Sequence, residues 1–354
     1  MHFTRYIIII FLFLVSCDCD PDELQSEYHP TPYEIITPYA FPDMNIPLDN
    51  PMTEEGIFLG KKLFFDNILS PNESISCASC HIQLNGFSDP NQFSSGSEGQ
   101  LGLRNASVLI NLAWSDNFFW DGRSNSLEDQ VSGPLLNELE FHNLSWEEVI
   151  NRLSLNQEYQ GLFHEAFGTF EIDSNQVKKA ISQFERTLIS SNSRYDKWLR
   201  GEVLFTDQEL DGLNIFFTER GDCFHCHGSI NFMDNTFHNN GLDQNFSDLG
   251  LFEVTGNLLD QGLFKTPTLR NIEYTSPYMH DGRFSSLEEV IDHYNSGGVY
   301  SSTIDPLMKY VNSNPFGIPG LTGLILTEQE KNNLKAFLLT LSDEEFIQNT
   351  NFQP

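Results

Sequence analysis

The sequence predicts an all-α protein made of two small helical domains of similar design, connected by long loops. Three observations predict this fold. The pattern C-x-x-C-H occurs twice, at residues 77–81 and 223–227. Short motifs follow each copy in the same order, which indicates an internal duplication. Each half also ends in an amphipathic helix, whereas strand-like alternation is weak. A chain of 354 residues is long enough for two such domains.

C-x-x-C-H is the attachment pattern of a c-type haem. Its two thiols can add to the two vinyl groups of one porphyrin, and the histidine that follows can ligate the iron as a neutral imidazole. The pattern therefore predicts two cytochrome c-like domains, each with one covalent haem c. The residues concerned are Cys77, Cys80, His81, Cys223, Cys226 and His227.

A zinc site is the alternative for the same cysteines. Two C-x-x-C pairs can form a four-cysteine cage, but such pairs usually lie roughly 15–20 residues apart. Here the two pairs lie far apart, at residues 77–80 and 223–226. Zinc also does not explain the histidine after each pair. We expect His225, between the thiols of the second pair, to be a loop residue without a ligand role.

Residues 1–16 have the features of a signal peptide. Arg5 supplies a short basic region, and the apolar run 7–15 is too short to span a bilayer. The sequence Leu-Val-Ser before Cys17 resembles the lipobox of bacterial lipoproteins, which implies cleavage before Cys17 and lipidation of its thiol. We therefore predict a periplasmic protein with a lipid anchor. The alternative is an ordinary secretory signal.

The composition is strongly acidic. Fifty Asp and Glu residues face 19 Lys and Arg residues, and the formal net charge is −31. This charge argues against nucleic acid as a partner. It permits a cationic electron-donor protein, although an acidic surface that keeps the protein in solution explains it equally well.

The two halves repeat each other from residue 51 onwards. We predict an acidic, proline-rich tether at 17–50, domains at 51–200 and 201–345, and a tail at 346–354. Each domain should begin with a helix whose N-cap is a threonine followed by acidic residues. The repeated features are Thr53 and Thr206 as caps, helix ends near Phe64-Phe65 and Phe216-Phe217, Leu103-Arg104-Asn105 and Leu269-Arg270-Asn271, and Asp121-Gly122-Arg123 and Asp281-Gly282-Arg283.

Each half is closed by an amphipathic helix whose apolar residues recur at helical spacing. The second helix should start at Thr327, with Glu330 completing a capping box. The apolar stripes are Val177, Ile181, Phe184 and Leu188 in the first half, and Leu334, Phe337, Leu338 and Leu341 in the second.

These motifs, in this order, resemble the bacterial dihaem cytochrome c peroxidase family, which includes the MauG subtype. The segments that carry the resemblance include LGKKLFFD, FWDGRSNSLEDQ, GPLLNELEF, QFERTLIS, TPTLRN and SPYMHDGRFSSLEEVIDHYNSGG. The resemblance implies a peroxidatic haem in the first domain, an electron-transfer haem in the second and a calcium ion between them. It also implies frequent dimerisation.

The resemblance implies catalytic roles for three residues. Glu140 matches the acid that moves a proton during cleavage of H2O2, a task suited to a partly buried carboxylate. Gln130 should line the same pocket. Trp120 matches the tryptophan between the haems, where an indole can relay an electron. Phe141 departs from the family, which usually has methionine there.

The calcium site implied by the family consists of oxygen donors. Asn105 matches its side-chain ligand, and Thr275 and Pro277 match its two backbone-carbonyl ligands. Hard oxygen donors suit Ca2+. Asn105 has a simpler interpretation as the cap of a turn.

Two departures point to the MauG-like subtype. Where peroxidases that need reductive activation carry a histidine, this chain has Ser97, which implies an open sixth position on the first haem. Opposite His227, where ordinary members have methionine, the alignment places Tyr294, with Met279 or Met308 as alternatives. A phenolate would lower the reduction potential, and a thioether would raise it.

Two further histidines, His280 and His293, flank these ligand candidates in sequence, and His238 lies upstream in the segment FHNNGL. We expect His280 to lie behind the ligands and His293 to be exposed, and we assign His238 no role. Glu98, close to Ser97, is expected to be a solvated loop acid.

The favoured function is reduction of H2O2 with electrons from a small cytochrome c or cupredoxin. One alternative is a MauG-like enzyme that oxidises protein side chains. Another, of a different class, is a dihaem electron carrier without catalysis.

Overall fold

The computed structural model describes residues 28–308 and 323–354, and it is rich in helix with little sheet. Cys17 and the signal segment lie outside these ranges. The α-helices are α1 Glu54–Phe65, α2 Leu127–Gln130, α3 Ser132–Leu136, α4 Trp146–Leu155, α5 Gln157–Phe167, α6 Ser174–Arg186, α7 Arg194–Leu199, α8 Asp207–Phe216, α9 Phe224–His227, α10 Phe252–Thr255, α11 Leu287–Ser296, α12 Glu328–Leu339 and α13 Glu344–Ile347.

The described residues also contain short 3-10 turns, isolated β-bridges and one small ladder. Strands β1 Phe237–His238 and β2 Phe264–Lys265 pair antiparallel. None of the helices in the described ranges has both the length and the apolar character needed to cross a bilayer. The 3-10 turns are Asn67–Leu69, Cys77–Ser79, Gln83–Asn85, Leu112–Trp114, Leu258–Asp260 and Thr350–Phe352.

The predicted helix starts are confirmed. The Thr53 hydroxyl accepts a hydrogen bond from the Gly56 amide at 3.0 Å at the start of α1. Capping boxes, in which Thr and Glu side chains satisfy each other's free amides, begin α8 at Thr206 and α12 at Thr327. The first helix ends at Phe65 and its counterpart at Phe216, as the sequence predicts.

Each half is built on one tightly packed pair of helices. α1 packs on α6, and α8 packs on α12. A glycine allows the close approach in both pairs. A Cβ atom on Gly60 would lie 1.8 Å from the Ala180 carbonyl oxygen, and one on Gly212 would lie 1.9 Å from that of Asn333. The repeated sequence thus produces a repeated packing geometry.

The predicted apolar stripes form the cores against which these pairs pack. All eight residues are buried. Leu188 and Leu341 lie just beyond the ends of α6 and α12, so the buried stripe continues into the turn after each helix.

Residues 346–354, predicted as a tail, are instead folded against the first half. Phe346 and Phe352 pack in one buried cluster with Phe64 and Phe87. The Gln83 side chain donates hydrogen bonds to the carbonyl oxygens of residues 346 and 349 at 3.3 and 2.8 Å. The end of the second half therefore completes the core of the first.

Part of the predicted tether also lies on the fold. The ring of Phe41 is 4.9 Å from that of Trp114 between centroids. The Trp114 indole donates to the Pro42 carbonyl at 2.8 Å. Residues 28–50 therefore include a docked segment.

We expect Gly60→Ala to destabilise the protein, because the added methyl group would force α1 away from α6. Overpacking of this kind costs about 1–3 kcal/mol. Chemical denaturation would measure the change in the free energy of unfolding. Gly161→Ala is the matched control, since Gly161 lies inside α5 with no atom within 4 Å of the added Cβ, and this change should stabilise by roughly 0.5–1 kcal/mol. Equal effects of the two changes would contradict the packing argument.

Candidate functional site

A single cavity of about 960 Å3 extends through both halves of the fold. Its walls are largely apolar, contributed by residues before and after the two C-x-x-C-H segments and by α6, α11 and α12. The cavity brings together most of the predicted site residues, namely Cys77, Cys80, His81, Asn105, Trp120, Gln130, Glu140, Cys223, Cys226, His227, Thr275, Pro277, Met279, Tyr294 and Met308.

His81 and His227 are held in the same way. The Nδ1 of His81 lies 3.0 Å from the Phe87 carbonyl oxygen, and the Nδ1 of His227 lies 2.7 Å from that of Phe232. A proton on Nδ1 leaves Nε2 with a free lone pair for a metal ion. Burial lowers the pKa of both imidazoles, which keeps them neutral. Both histidines therefore have a neutral ring whose Nε2 could ligate a metal ion.

The carbonyls that orient these histidines come from strained residues. Phe87 and Phe232 have φ values of 55° and 53°, which are rare for bulky side chains. Both side chains are fully buried. Core packing therefore holds two unfavourable backbone conformations that direct each carbonyl towards its histidine.

The four cysteines carry free thiols. Burial raises the pKa of Cys80 to about 11 and that of Cys223 to about 12, so these thiols stay protonated by themselves. Among the described residues, no cluster of possible metal ligands joins one C-x-x-C pair to the other. The four-cysteine zinc alternative therefore has no site in the described part of the chain.

Glu140 lies in the wall of the first half of the cavity. It follows α3 in a loop, where the Asn137 amide donates to Glu140 Oε1 at 2.7 Å. Burial raises the pKa of Glu140, and the Asn137 hydrogen bond opposes this effect. Gln130, at the end of α2, lines the same cavity. The Glu140 carboxyl therefore lies beside the Asn137 amide, in the cavity that Gln130 also lines.

The loop around Ser97 is fastened to the Glu140 loop. The Ser97 amide donates to the Glu140 carbonyl at 2.8 Å, and its hydroxyl donates to the Phe141 carbonyl at 2.9 Å. A Cβ on Gly96 would lie 2.3 Å from the Leu139 carbonyl oxygen, so the two loops are in close contact. The Ser97 side chain is thus engaged with backbone, and Glu98 is exposed as expected.

Trp120 lies where the two halves meet. Its indole donates to the Asn105 carbonyl at 2.8 Å, and its own carbonyl accepts from the Lys265 amide at 2.8 Å. The His280 ring stands edge-on to it, with centroids 6.5 Å apart, and stacks on Phe264 at 3.7 Å. Trp120 is thereby held by residues of both halves.

The three predicted calcium ligands line the cavity near this junction. The Asn105 amide nitrogen donates to the carbonyls of Asn91 and Gln92 at 3.1 and 3.2 Å, which turns its oxygen away from them. The Asn105 backbone amide also donates to the His280 carbonyl at 2.7 Å. Asn105 and Thr275 are both buried.

Two of the candidates for the second axial position share one neighbour. The Asn240 amide nitrogen lies 3.3 Å from the Tyr294 hydroxyl and 3.4 Å from the Met279 sulfur. Tyr294 is on α11, whose residues Leu287, Val290 and Ile291 also line the cavity, as the stripe predicts. Burial raises the pKa of Tyr294 to about 12, so the phenol ionises at neutral pH only beside a cation.

The remaining histidines differ in part from expectation. His293 is half-buried rather than exposed, because its Nε2 lies 2.9 Å from the Asn240 carbonyl oxygen. His225 belongs to the short helix α9 rather than to a loop. His238 lines the cavity and lies between two carboxylates, at 2.7 Å from Asp234 and 2.6 Å from Asp305.

Comparison with known proteins agrees with this site. A family model described as di-haem cytochrome c peroxidase matches residues 54–204. Methylamine utilization protein MauG of Methylorubrum extorquens is 38% identical over 302 residues, which cover 84% of this chain and 81% of that protein. The chain belongs to the di-haem cytochrome c peroxidase family.

Other members of the family show the same similarity. Cytochrome c551 peroxidase of Nitrosomonas europaea is 37% identical over 240 residues, or 66% of this chain and 71% of that protein. The crystal structure of a MauG-like protein associated with microbial copper homeostasis matches with a TM-score of 0.82 at 35% identity, covering 91% of this chain and 99% of that one. The diheme peroxidase BthA of Burkholderia thailandensis shares the fold, with a TM-score of 0.73 at 23% identity over 84% of this chain and 88% of that one.

The residues present fit haem, the cofactor of this family. Paired protonated thiols, a neutral histidine beside each pair and a large apolar cavity are the features that a covalently attached porphyrin requires. Sequence reasoning missed four residues that complete the site. The signals were weak, because amides and carbonyls act here through backbone geometry and long-range contacts. These residues are Phe87, Asn137, Phe232 and Asn240.

We expect the double change Cys77→Ser with Cys80→Ser to remove one covalent haem and to leave the second. The two attachment segments lie in separate core clusters, so the second half should still bind its porphyrin. The pyridine haemochrome assay on purified protein should fall from two haems per chain to one. Retention of two covalent haems, or zinc in their place, would contradict the assignment.

Proposed function

We propose that the protein is a di-haem peroxidase that reduces H2O2 to water with electrons from a small redox protein. The observation that carries the proposal is the position of Glu140, a carboxyl group of raised pKa in the same cavity as His81 and its two cysteines. Haem, when bound there, supplies the iron that binds peroxide and exchanges electrons.

Glu140 transfers a proton between the two oxygens of the peroxide. Cleavage of the O–O bond is easier when the departing oxygen leaves as water, and a carboxyl group of raised pKa can both accept and return a proton. The Asn137 hydrogen bond fixes one carboxylate oxygen, so the other is available to the substrate. Gln130 supplies a neutral hydrogen-bonding group in the same wall.

The first haem site is open to peroxide without rearrangement of the Ser97 loop. Two hydrogen bonds hold that loop to residues 140 and 141, and serine offers no imidazole for the iron. A second loop conformation would have to break both bonds. The enzyme thus starts from a state that can bind substrate.

Electrons pass between the halves through Trp120, which two hydrogen bonds fix at the junction. The acidic surface attracts a cationic cytochrome c or cupredoxin as the donor. A calcium ion held by Asn105, Thr275 and Pro277 stabilises the same junction, because all three come from the loops that meet there. The protein acts in the periplasm, anchored through lipid on Cys17, and two chains can associate as a dimer.

We expect Glu140→Gln to lower turnover of H2O2 by about 100-fold or more, since loss of a general acid–base group typically costs 10²–10⁴-fold. Stopped-flow and steady-state assays with reduced cytochrome c would measure this. Glu138→Gln is the matched control, because Glu138 is an exposed acid on the same loop. Wild-type rates in Glu140→Gln would exclude this role, and lack of peroxide reactivity in the wild type would favour a simple electron carrier.

A second candidate function is MauG-like oxidation of a protein side chain, which Tyr294 favours. Its side chain lines the second half of the cavity, and a phenolate ligand would stabilise high oxidation states of the iron. Steady-state turnover separates the two candidates. Brisk oxidation of reduced cytochrome c supports the peroxidase, and negligible turnover with a long-lived oxidised state supports the MauG-like enzyme.

We expect Tyr294→Met to raise the reduction potential of the second haem, because a thioether ligand favours the ferrous state more than a phenolate does. Spectroelectrochemical titration would measure the shift. Met279→Leu should leave the potential and the haem spectrum unchanged. The reverse pattern would assign the ligand to Met279.

A further inference from the structure

One buried acid in the cavity has no partner that explains it. Glu185, in the last turn of α6, lines the cavity and is 4% exposed. Within the described residues, its Oε2 is buried and has no hydrogen-bond donor. A buried, unpaired carboxylate is costly, so such a group holds a proton or serves a function that requires it.

The cation that acts on Glu185 is already paired with another acid. Arg186, the next residue along α6, donates to both oxygens of Glu128 at 2.7 and 3.0 Å. Asn50 also donates to Glu128, at 2.7 Å. The Arg186–Glu128 pair is therefore complete, and Glu185 remains without a counter-ion.

In the described residues α6 packs on α1, α2, α5 and the 3-10 turn at 112–114. The charged groups from these elements and from α6 itself that act on the Glu185 carboxyl are Glu128 of α2 and Arg186 of α6. The buried face of α1 is apolar, with Leu63 and Phe64 packed towards α6. Burial raises the pKa of Glu185 to about 8; Arg186 opposes this, and Glu128 adds to it. Burial is the main reason that the pKa of the Cys77 thiol is raised, and the charge of the nearby Glu185 carboxylate adds to this. A buried carboxyl whose pKa of about 8 favours the protonated form at neutral pH thus lines the cavity near Cys77.

The reaction requires a proton source in this cavity. Reduction of one H2O2 to two water molecules breaks the O–O bond, consumes two electrons and forms two new O–H bonds with two protons. The redox partner supplies the electrons. Glu140 moves a proton that the peroxide already carries, so it does not by itself supply the two additional protons.

We propose that Glu185 is the internal proton donor of the peroxide cavity. The proposal rests on the proposed function. The Glu185 O–H bond breaks as an electron reaches the cavity, the proton goes to the oxygen being reduced, and the carboxylate recovers a proton from solvent. Transfer of a proton together with each electron avoids an uncompensated charge in an apolar cavity.

The test compares Glu185→Gln, which keeps the shape but cannot supply a proton, with Glu147→Gln, an exposed acid of α4. Steady-state turnover is measured from pH 5 to 9, together with proton uptake by an indicator dye during a single turnover. We expect Glu185→Gln to lower turnover at pH 7 at least about tenfold, and to slow proton uptake equally. Turnover and uptake at wild-type rates would overturn the proposal.

Thermal unfolding of the haem-loaded protein provides a readout that does not depend on peroxide. The folded carboxyl holds its proton up to a pKa of about 8, against an ordinary value of 4.5. The folded state therefore binds more protons between these values, so stability falls as pH rises through this window. The melting temperature of the wild type should fall relative to that of Glu185→Gln from pH 5 to 8, and parallel curves would refute the protonated state.

One further measurement and a second variant keep these outcomes distinct. Haem content verifies that Glu185→Gln has folded, and Glu185→Met replaces it if it has not. If the wild type itself fails to reduce H2O2, the proposed function fails. If the wild type reduces H2O2 and Glu185→Gln does so at the same rate, the proton-donor assignment fails and the peroxidase function stands.

Discussion

The site depends on one hydrogen bond made twice, from a histidine Nδ1 to a phenylalanine carbonyl. It fixes the tautomer and the ring orientation of His81 and His227, and it is available only because Phe87 and Phe232 adopt a left-handed backbone. That conformation is unfavourable for phenylalanine. It persists because both rings are fully buried among other aromatic rings. Core packing therefore also determines how the two histidines of the proposed haem sites are oriented.

The duplicated halves diverge at the point where they touch. Trp120 and His280 occupy equivalent places before the repeated Asp-Gly-Arg motif, and the preceding residues, Phe119 and Met279, both have positive φ. One copy therefore presents an indole and the other an imidazole, edge-on at the junction. Similar backbones with different side chains allow one fold to hold two sites of different character.

Local sequence patterns predicted the local structure well. Threonine caps, the two C-x-x-C-H segments and the apolar stripes all depend on residues a few positions apart, and the structure places them as expected. The docked segment at 346–354 could not be predicted this way, because its partners Phe64 and Phe87 lie in the opposite half. The burial of Glu185 could not be predicted for a similar reason. A single acid in an amphipathic helix is expected to face solvent, and only its three-dimensional neighbours show that it is buried.

The placement of Phe346 and Phe352 has a consequence for the order of assembly. These residues follow the whole second half in the sequence, yet they cover the core around Phe64 and Phe87. During synthesis the first half cannot obtain this cover until the second half has been made. The Phe87 carbonyl, and with it the orientation of His81, thus reaches its final support only after the segment with Cys77 and Cys80 and the whole second half have been made.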